Sequence, residues 1–507
     1  MKELIRFENI TYTTSTNREI FCDLSLSIKK GKIGIIGRNG VGKSLLAKLI
    51  TGEAEPAFGK ILRDAEIYEV PQIIDFQDAN LLESIDVSLK NGTVDFSIKK
   101  VLKKININFY KAKESIKELS GGELRMLYIM NAFCNPADML ILDEPESDLD
   151  IDNRQLLREM ILGSNKTIII ISHDRKTLDC VDNIMEIKEQ GVTVFGGGYS
   201  QYLIKKNREE LLLDRNIKQV SKEIDNIEVL KESVINNQKF KTQKAQDDSF
   251  DRGHSNFWCD TPKKDRAART LKRLKENHEL KMKEGQELLG NYLDRVRIIN
   301  NIKIPFTEVQ VEMNKTLVEL SDIHFFYEES KKILSGFSMA VKSGEKIWLS
   351  GKNGSGKTTI INIVASKLVP QSGSIKINCE EIGIVDQKQD VLILEDTLLE
   401  NIVSSNDFIL EEKAREIIQS TGFPLSIATR KCSTLSGGER ILASLIIVLL
   451  RLVPPEIIIL DEPTNHLDIL GIQQLSIILR NYTGAILIST HDEELINSIG
   501  TYRKIFI

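Results

Sequence analysis

An ordered set of motifs occurs twice along this 507-residue chain, and that duplication limits its possible folds more than any other feature. The run Gly37-Arg38-Asn39-Gly40-Val41-Gly42-Lys43-Ser44 returns as Gly351-Lys352-Asn353-Gly354-Ser355-Gly356-Lys357-Thr358. Leu119-Ser120-Gly121-Gly122-Glu123 returns as Leu435-Ser436-Gly437-Gly438-Glu439, and Ile141-Leu142-Asp143-Glu144-Pro145 as Ile459-Leu460-Asp461-Glu462-Pro463. Ser172-His173-Asp174 and Thr490-His491-Asp492 close the two sets. Lysine to aspartate is 100 residues in the first half and 104 in the second, and aspartate to histidine is 30 in both, as in a duplication without insertion. Each glycine run follows a β-like stretch (33–36 and 347–349) and opens an apolar-periodic helix, the setting a phosphate-binding loop requires. Alternating apolar strands and helices predict an α/β fold with a largely parallel sheet in each half.

A triphosphate needs close backbone donors and a cation, which explains Gly37, Asn39, Gly40 and Gly42 with Lys43, and Gly351, Asn353, Gly354 and Gly356 with Lys357. The hydroxyls of Ser44 and Thr358 suit Mg²⁺, and Asp143 and Asp461 end apolar strands, where a carboxylate is costly unless it serves a metal shell. Glu144 and Glu462 follow them, placed to polarise a water for attack on a γ-phosphate. Gln72 and Gln387 lie between loop and signature and suit a residue that senses the metal and the water, while His173 and His491 follow apolar strands and suit a γ-phosphate contact. Each residue type has a plainer use: acids cap helices, glutamines are usually solvated, and such a histidine can be structural. The ordered repetition favours the nucleotide reading, with ATP and Mg²⁺ as the expected cofactors.

Between the halves the pattern changes. Formal net charge is −5, yet residues 201–300 hold 22 Lys and Arg against 17 Asp and Glu, so a basic middle joins two acidic flanks. Apolar residues step by three and four from Leu213 through Ile217, Val220, Ile224, Ile227, Leu230 and Val234, and again over Met282, Leu289, Tyr292, Val296 and Ile299. This predicts two long helices in an antiparallel hairpin, with the turn-rich stretch 247–262 as its tip. The six cysteines are scattered without metal or redox spacing, as suits reduced thiols in a cytosolic protein. The start of the chain lacks the apolar stretch of a signal peptide, and the longest apolar run, Ile441 to Leu450, is about half a membrane span. A cytoplasmic protein with no membrane span is expected.

These motifs resemble those of ATP-binding cassette proteins nearly end to end in both halves, and the Ser-Gly-Gly-Glu signature discriminates that family from other phosphate-loop proteins. The resemblance implies two P-loop cassette domains, 1–200 and 303–507, joined by a long α-helical hairpin linker, 201–302. It also implies head-to-tail pairing within one monomeric chain. Site one would join Lys43, Asp143, Glu144 and His173 to Ser436, Gly437 and Gly438; site two would join Lys357, Asp461, Glu462 and His491 to Ser120, Gly121 and Gly122. ATP would close the halves and hydrolysis release them.

Asp461-Glu462-Pro463-Thr464-Asn465-His466-Leu467-Asp468 resembles the characteristic sequence of the ABC-F branch, and Gly196-Gly197-Gly198-Tyr199-Ser200-Gln201-Tyr202 resembles the run that precedes the linker there. Members of that branch are ribosome-associated ATPases whose linker reaches toward the peptidyl transferase region. Gln72 to Ser120 spans 48 positions and Gln387 to Ser436 spans 49, which leaves no room for the extra arm of some members. That layout is similar to the antibiotic-resistance members, which protect the ribosome. On this reading the partner is the bacterial ribosome, through large-subunit rRNA and tRNA. Lys263, Lys264, Arg266, Arg269, Lys272 and Arg273 would neutralise phosphates, and Phe257 and Trp258 would stack on bases; a solvated charged helix with tucked aromatics is the plainer account.

The first half departs from the pattern at Glu146-Ser147-Asp148, which replaces Thr-Asn-His, and at Thr14, which stands where Tyr327 would stack on adenine. Slower turnover at site one is expected. Three readings compete with ribosome protection: a housekeeping ABC-F translation factor, the ATPase subunit of a membrane importer, and a DNA-repair or chromosome-organising cassette. An importer fusion has no need of a basic hairpin, and the third class is expected to show paired zinc cysteines or a much longer coiled coil.

Overall fold

The computed structural model describes residues 3–14, 19–70, 121–188, 191–209, 211–212, 215, 312, 314–328, 331–386, 391–423, 425–465 and 467–507. The expectations for Gln72, Ser120, Gln387, the linker hairpin and its contact candidates Phe257, Trp258, Lys263, Lys264, Arg266 and Arg269 lie outside the described residues. The chain divides into two compact units, Met1–Tyr202 with Asn301–Ile507, and Leu203–Asn300. All that follows concerns the first.

Its two halves repeat one architecture. In the first, β1 (Glu3–Thr13) pairs antiparallel with β2 (Glu19–Lys29) and β4 (Phe58–Arg63). A second sheet runs β5 (Ile67–Val70), β6 (Met139–Asp143), β7 (Thr167–Ile171), β3 (Lys32–Gly37), β8 (Asn183–Lys188), β9 (Gly191–Gly196), parallel throughout except at the last pair. Among the described residues the helices are α1 (Lys43–Thr51), α2 (Gly121–Cys134), α3 (Ile151–Gly163) and α4 (Arg175–Leu178).

In the second half β10 (Thr316–Glu328) pairs antiparallel with β11 (Lys331–Lys342) and β13 (Ser372–Ile377). The parallel sheet runs β14 (Ile382–Val385), β15 (Ile457–Asp461), β16 (Ala485–Ser489), β12 (Lys346–Ser350), β17 (Arg503–Phe506). Its helices are α5 (Lys357–Val364), α6 (Leu398–Ser405), α7 (Glu411–Ser420), α8 (Leu425–Ala428), α9 (Gly437–Leu449), α10 (Ile469–Asn481) and α11 (Glu493–Ile499). The largely parallel α/β sheet read from the sequence is present in both halves. The small antiparallel sheets were not foreseen, because their strands are covered on one face and carry less continuous apolar runs.

Strands β6, β7, β15 and β16 are buried along their whole length, which is why they read as unbroken Ile and Leu rather than alternating. In the second half, Ile457, Ile459 and Leu487 pack with α5 and the antiparallel sheet, while Ile458, Leu460, Ile486 and Ile488 pack with α9, α10 and α11. Two cores thus share one sheet, each fully buried Ile or Leu contributing about 2 kcal/mol relative to exposure. Because the strands are parallel, their C-terminal ends share one edge, where Asp143 lies level with Ile171 and Asp461 with Ser489. That edge carries the candidate site. Among the described residues no helix is long and apolar enough to cross a membrane.

Candidate functional site

At that edge, each glycine-rich loop leads into a helix whose N-cap is a left-handed glycine, Gly42 (φ 110°) or Gly356 (φ 105°), with no side chain capping the first turn. A Cβ at Gly42 would lie 2.7 Å from the Ile20 side chain, so a larger residue is excluded by space as well as by φ. The N–H groups of the first turn are therefore left for an anion. Lys43 Nζ donates to the carbonyl of Gly37 (2.8 Å) and to Asn39 Oδ1 (3.1 Å), and Lys357 Nζ to the carbonyls of Gly351 (2.8 Å) and Lys352 (3.0 Å). Both ammonium groups are buried and folded back on their own loops, their pKa lowered by burial against the pull of neighbouring carboxylates.

The Ser44 hydroxyl lies beside Asp143, and the Thr358 and Ser489 hydroxyls lie beside Asp461. Burial raises the pKa of both aspartates, and Asp461 Oδ1 is buried without a hydrogen-bond partner. An orphaned carboxylate oxygen beside a hydroxyl fits a divalent cation. Among the described residues no cluster of three or more His, Cys, Asp or Glu could hold a metal alone, so Mg²⁺ would draw its remaining oxygens from phosphate and water.

Glu144 and Glu462 both stand at left-handed φ, 45° and 46°, where the chain turns out of the strand, and their amides donate to Ile171 and Ser489 carbonyls at 2.8 Å. His491 Nε2 lies 3.5 Å from Glu462 Oε1 and 3.2 Å from Asn353 Oδ1; His173 Nε2 lies 3.8 Å from Glu144 Oε1 and 3.1 Å from Lys43 Nζ. Burial and the adjacent lysine lower both imidazoles to about 3, so they are neutral at physiological pH. Burial raises Glu462 to about 7, the range of a working general base. Loop, hydroxyl, two acids and histidine are thus assembled in each half and can bind a triphosphate and orient a water.

The halves also reach across to each other. A Cβ on Gly122, in the first signature, would lie 2.9 Å from Asn353 Nδ2 of the second loop. Asn353 Nδ2 donates to the Asp148 carbonyl at 2.5 Å, and Lys352 pairs with Asp152 at 3.2 Å. In the other direction, the Asn39 amide donates to Asp468 Oδ2 at 3.1 Å. In the second signature, Ser436 Oγ accepts from the Glu439 amide (3.3 Å) while Glu439 Oε2 accepts from the Ser436 amide (2.8 Å). The motif is therefore also a capping box for α9, worth about 1 kcal/mol.

Tyr327 is 62% exposed, its hydroxyl 3.4 Å from Thr359 Oγ1. Asn9 and Asp322 make the same left-handed kink in β1 and β10, and the same interval beyond each lies Thr14 or Tyr327. Sequence reasoning missed Asp468, Asp148, Ser355 and Arg125. Ser355 Oγ is buried without a partner inside the second loop, where the first has Val41. Arg125 is 2% exposed and donates to the carbonyls of Asp143 (3.0 Å) and Glu144 (2.9 Å). Its signal was a charged residue inside the largely apolar stretch 124–134, where the duplicate has Ile441.

Residues 21–147 and 334–465 each match the family described as ABC transporter. The ribosome protection protein VmlR of Bacillus subtilis is 28% identical over 97% of this chain and 84% of its own length. The ATP-binding protein Uup of Buchnera aphidicola subsp. Schizaphis graminum is 30% identical over 98% of this chain and 80% of its own. Among solved structures, one titled RNase-L Inhibitor shares the fold with a TM-score of 0.59, at 20% identity, covering 98% of this chain and 87% of the other.

Proposed function

The chain belongs to the ATP-binding cassette family, in its ABC-F branch, and is an ATPase, and from that premise we propose that it binds the bacterial ribosome and protects it from antibiotics. What carries this reading is similarity along nearly the whole chain to a ribosome protection protein, linker included. The protein is cytoplasmic and monomeric, and its two cassettes close on ATP within one chain.

Each site is composite. Lys43 and Lys357 turn from their loop carbonyls to the β- and γ-phosphates, which the uncapped first turns of α1 and α5 also bind. Tyr327 stacks on adenine at site two. Ser44 with Asp143, and Thr358 with Asp461, would hold Mg²⁺, which would offset phosphate charge, and Gln72 and Gln387 would sense the metal and the attacking water. Glu144 and Glu462 accept the proton of the attacking water, and the neutral His173 and His491 hydrogen-bond the γ-phosphate. The signatures act across the interface, Ser120 to Gly122 on the second loop and Ser436 to Gly438 on the first, a reading that the closeness of Gly122 to Asn353 supports for the first signature. The linker, 201–302, inserts toward the peptidyl transferase region, its tip residues Phe257, Trp258, Lys263, Lys264, Arg266 and Arg269 meeting rRNA and tRNA.

The Glu144→Gln, Glu462→Gln double variant, sedimented with bacterial ribosomes in ATP and in ADP, tests the proposal. Comigration in ATP that is lost in ADP is expected, with resistance to peptidyl-transferase drugs in cells that carry the parent chain and loss of both effects on deleting 247–262. Comigration without resistance would favour the housekeeping translation factor. Failure to comigrate with either nucleotide, with recovery beside a permease instead, would replace the proposal by the importer subunit.

A further inference from the structure

Where the two cassettes meet beyond the histidines, duplicated positions carry opposite charges. Asp174 and Asp492 occupy the same place in each half and cap α4 and α11 through the same hydrogen bonds. The next two residues are Arg175 and Lys176 in the first half, Glu493 and Glu494 in the second. Arg175 Nη1 lies 2.6 Å from Glu494 Oε2, and Lys176 Nζ lies 2.6 Å from Glu493 Oε2. The first position of each pair meets the second position of the other, as a pseudo-two-fold axis requires. The charge difference extends into α3, where Arg154 and Arg158 line the same cleft. Counting from the capping residues Asp150 and Asp468, the corresponding positions of α10 are Ile472 and Ser476.

We propose that this reciprocal charge reversal is the pairing code of the molecule, directing the first cassette onto the second of its own chain and rejecting a like cassette of another copy. The inference rests on the head-to-tail reading of the two sites. With two first cassettes, the same axis would set Arg175 against Lys176 twice, with four further arginines around them that only two Asp174 carboxylates offset. With two second cassettes it would set Glu493 against Glu494 twice. Either mispairing places like charges where the native pairing places opposite ones, and like-charge apposition discriminates more strongly than the attraction itself.

The test is a charge swap in the full chain, read by steady-state ATP hydrolysis and by solution mass. Arg175→Glu with Lys176→Glu should lower kcat/KM about tenfold, Glu493→Lys with Glu494→Arg should do the same, and the fourfold swap should return to within about twofold of the parent. Either one-sided loss should shrink as salt rises. One-sided reversals at parental activity, or a fourfold swap no better than either, would overturn the inference. Should a reversal variant fail to fold, the neutral pairs Arg175→Gln with Lys176→Gln and Glu493→Gln with Glu494→Gln replace it. Their losses should be the same singly and together, and strictly additive losses would overturn the code. Gly122→Asp and Gly438→Asp separate the two ideas. If they leave hydrolysis intact, the head-to-tail reading fails; if they abolish it while the reversals are silent, the pairing code alone fails.

Discussion

In the first cassette the carbonyls of Asp143 and Glu144 are held by the guanidinium of Arg125, and the buried Glu146 accepts from the Ser172 hydroxyl and from the amides of His173 and Asp174. In the second, Ile441 replaces Arg125, and Thr464 and Thr490 share a neutral hydrogen bond of 3.2 Å. Burial drives the Glu146 carboxyl upward and the Arg125 guanidinium downward in pKa, so the first site rests on charged groups that are costly to bury. The second rests on apolar packing and hydroxyls. Duplication has kept the reacting groups and the strand ends that present them while the supporting shell has diverged, so the halves should differ in how easily each is damaged and in how fast each turns over.

The largest separation is expected in turnover. Glu462→Gln should lower ATP hydrolysis by about 10²-fold, and Glu144→Gln by several-fold less; equal residual rates in steady-state assays would erase the predicted difference between the sites. Next comes stability. Arg125→Ile copies the second cassette into the first but strands two buried carbonyls, and should cost about 2–3 kcal/mol in calorimetry, whereas the unlike-sized change Ile441→Val should cost about 1 kcal/mol. If Arg125→Ile proves neutral, the two supports are interchangeable.

A pH series sharpens the comparison further. Burial holds the Glu462 carboxyl at about 7, above its ordinary 4.5, so the nucleotide-free fold is favoured while that group is protonated and penalised as pH rises through 7. Glu462→Gln removes the penalty and should gain on the order of 2 kcal/mol relative to the parent between pH 5 and 8.5, seen as a rise in relative Tm. A flat difference across that range would mean the carboxylate is solvated. The smallest effect is at the exposed aromatic: Tyr327→Ala should weaken nucleotide binding at site two by about 1 kcal/mol, while Thr14→Ala should leave site one unchanged in titration.

Much of this was legible because phosphate chemistry demands fixed residue types at fixed intervals. Gly42, Lys43, Asp143, Glu144 and their duplicates announce loop and strand end, and the unbroken Ile runs of β7 and β15 announce a sheet covered on both faces. What was not legible lies mostly where segments remote in sequence touch, above all between the halves. Asp468 in sequence is a helix cap like Asp150, and nothing local says that its second oxygen meets Asn39. Arg175 and Lys176 read as ordinary surface charge until Glu493 and Glu494 stand opposite them. Arg125 reads as an interruption in an apolar helix, because the carbonyls it serves are distant in sequence. Contacts between remote segments leave no periodicity behind.

Asp468 has a mechanical consequence. Its Oδ1 accepts from the Gly471 amide (2.7 Å) at the start of α10, while its Oδ2 accepts from the Asn39 amide on the opposite loop. A 13-residue helix is a stiff rod roughly 20 Å long. Its far end is fixed where the Tyr482 hydroxyl donates to the Pro455 carbonyl, just before β15 begins. Asp468 thus ties the start of α10 to the first loop while the other end of the helix is tied beside the strand that carries Asp461, one of several points at which the two halves touch.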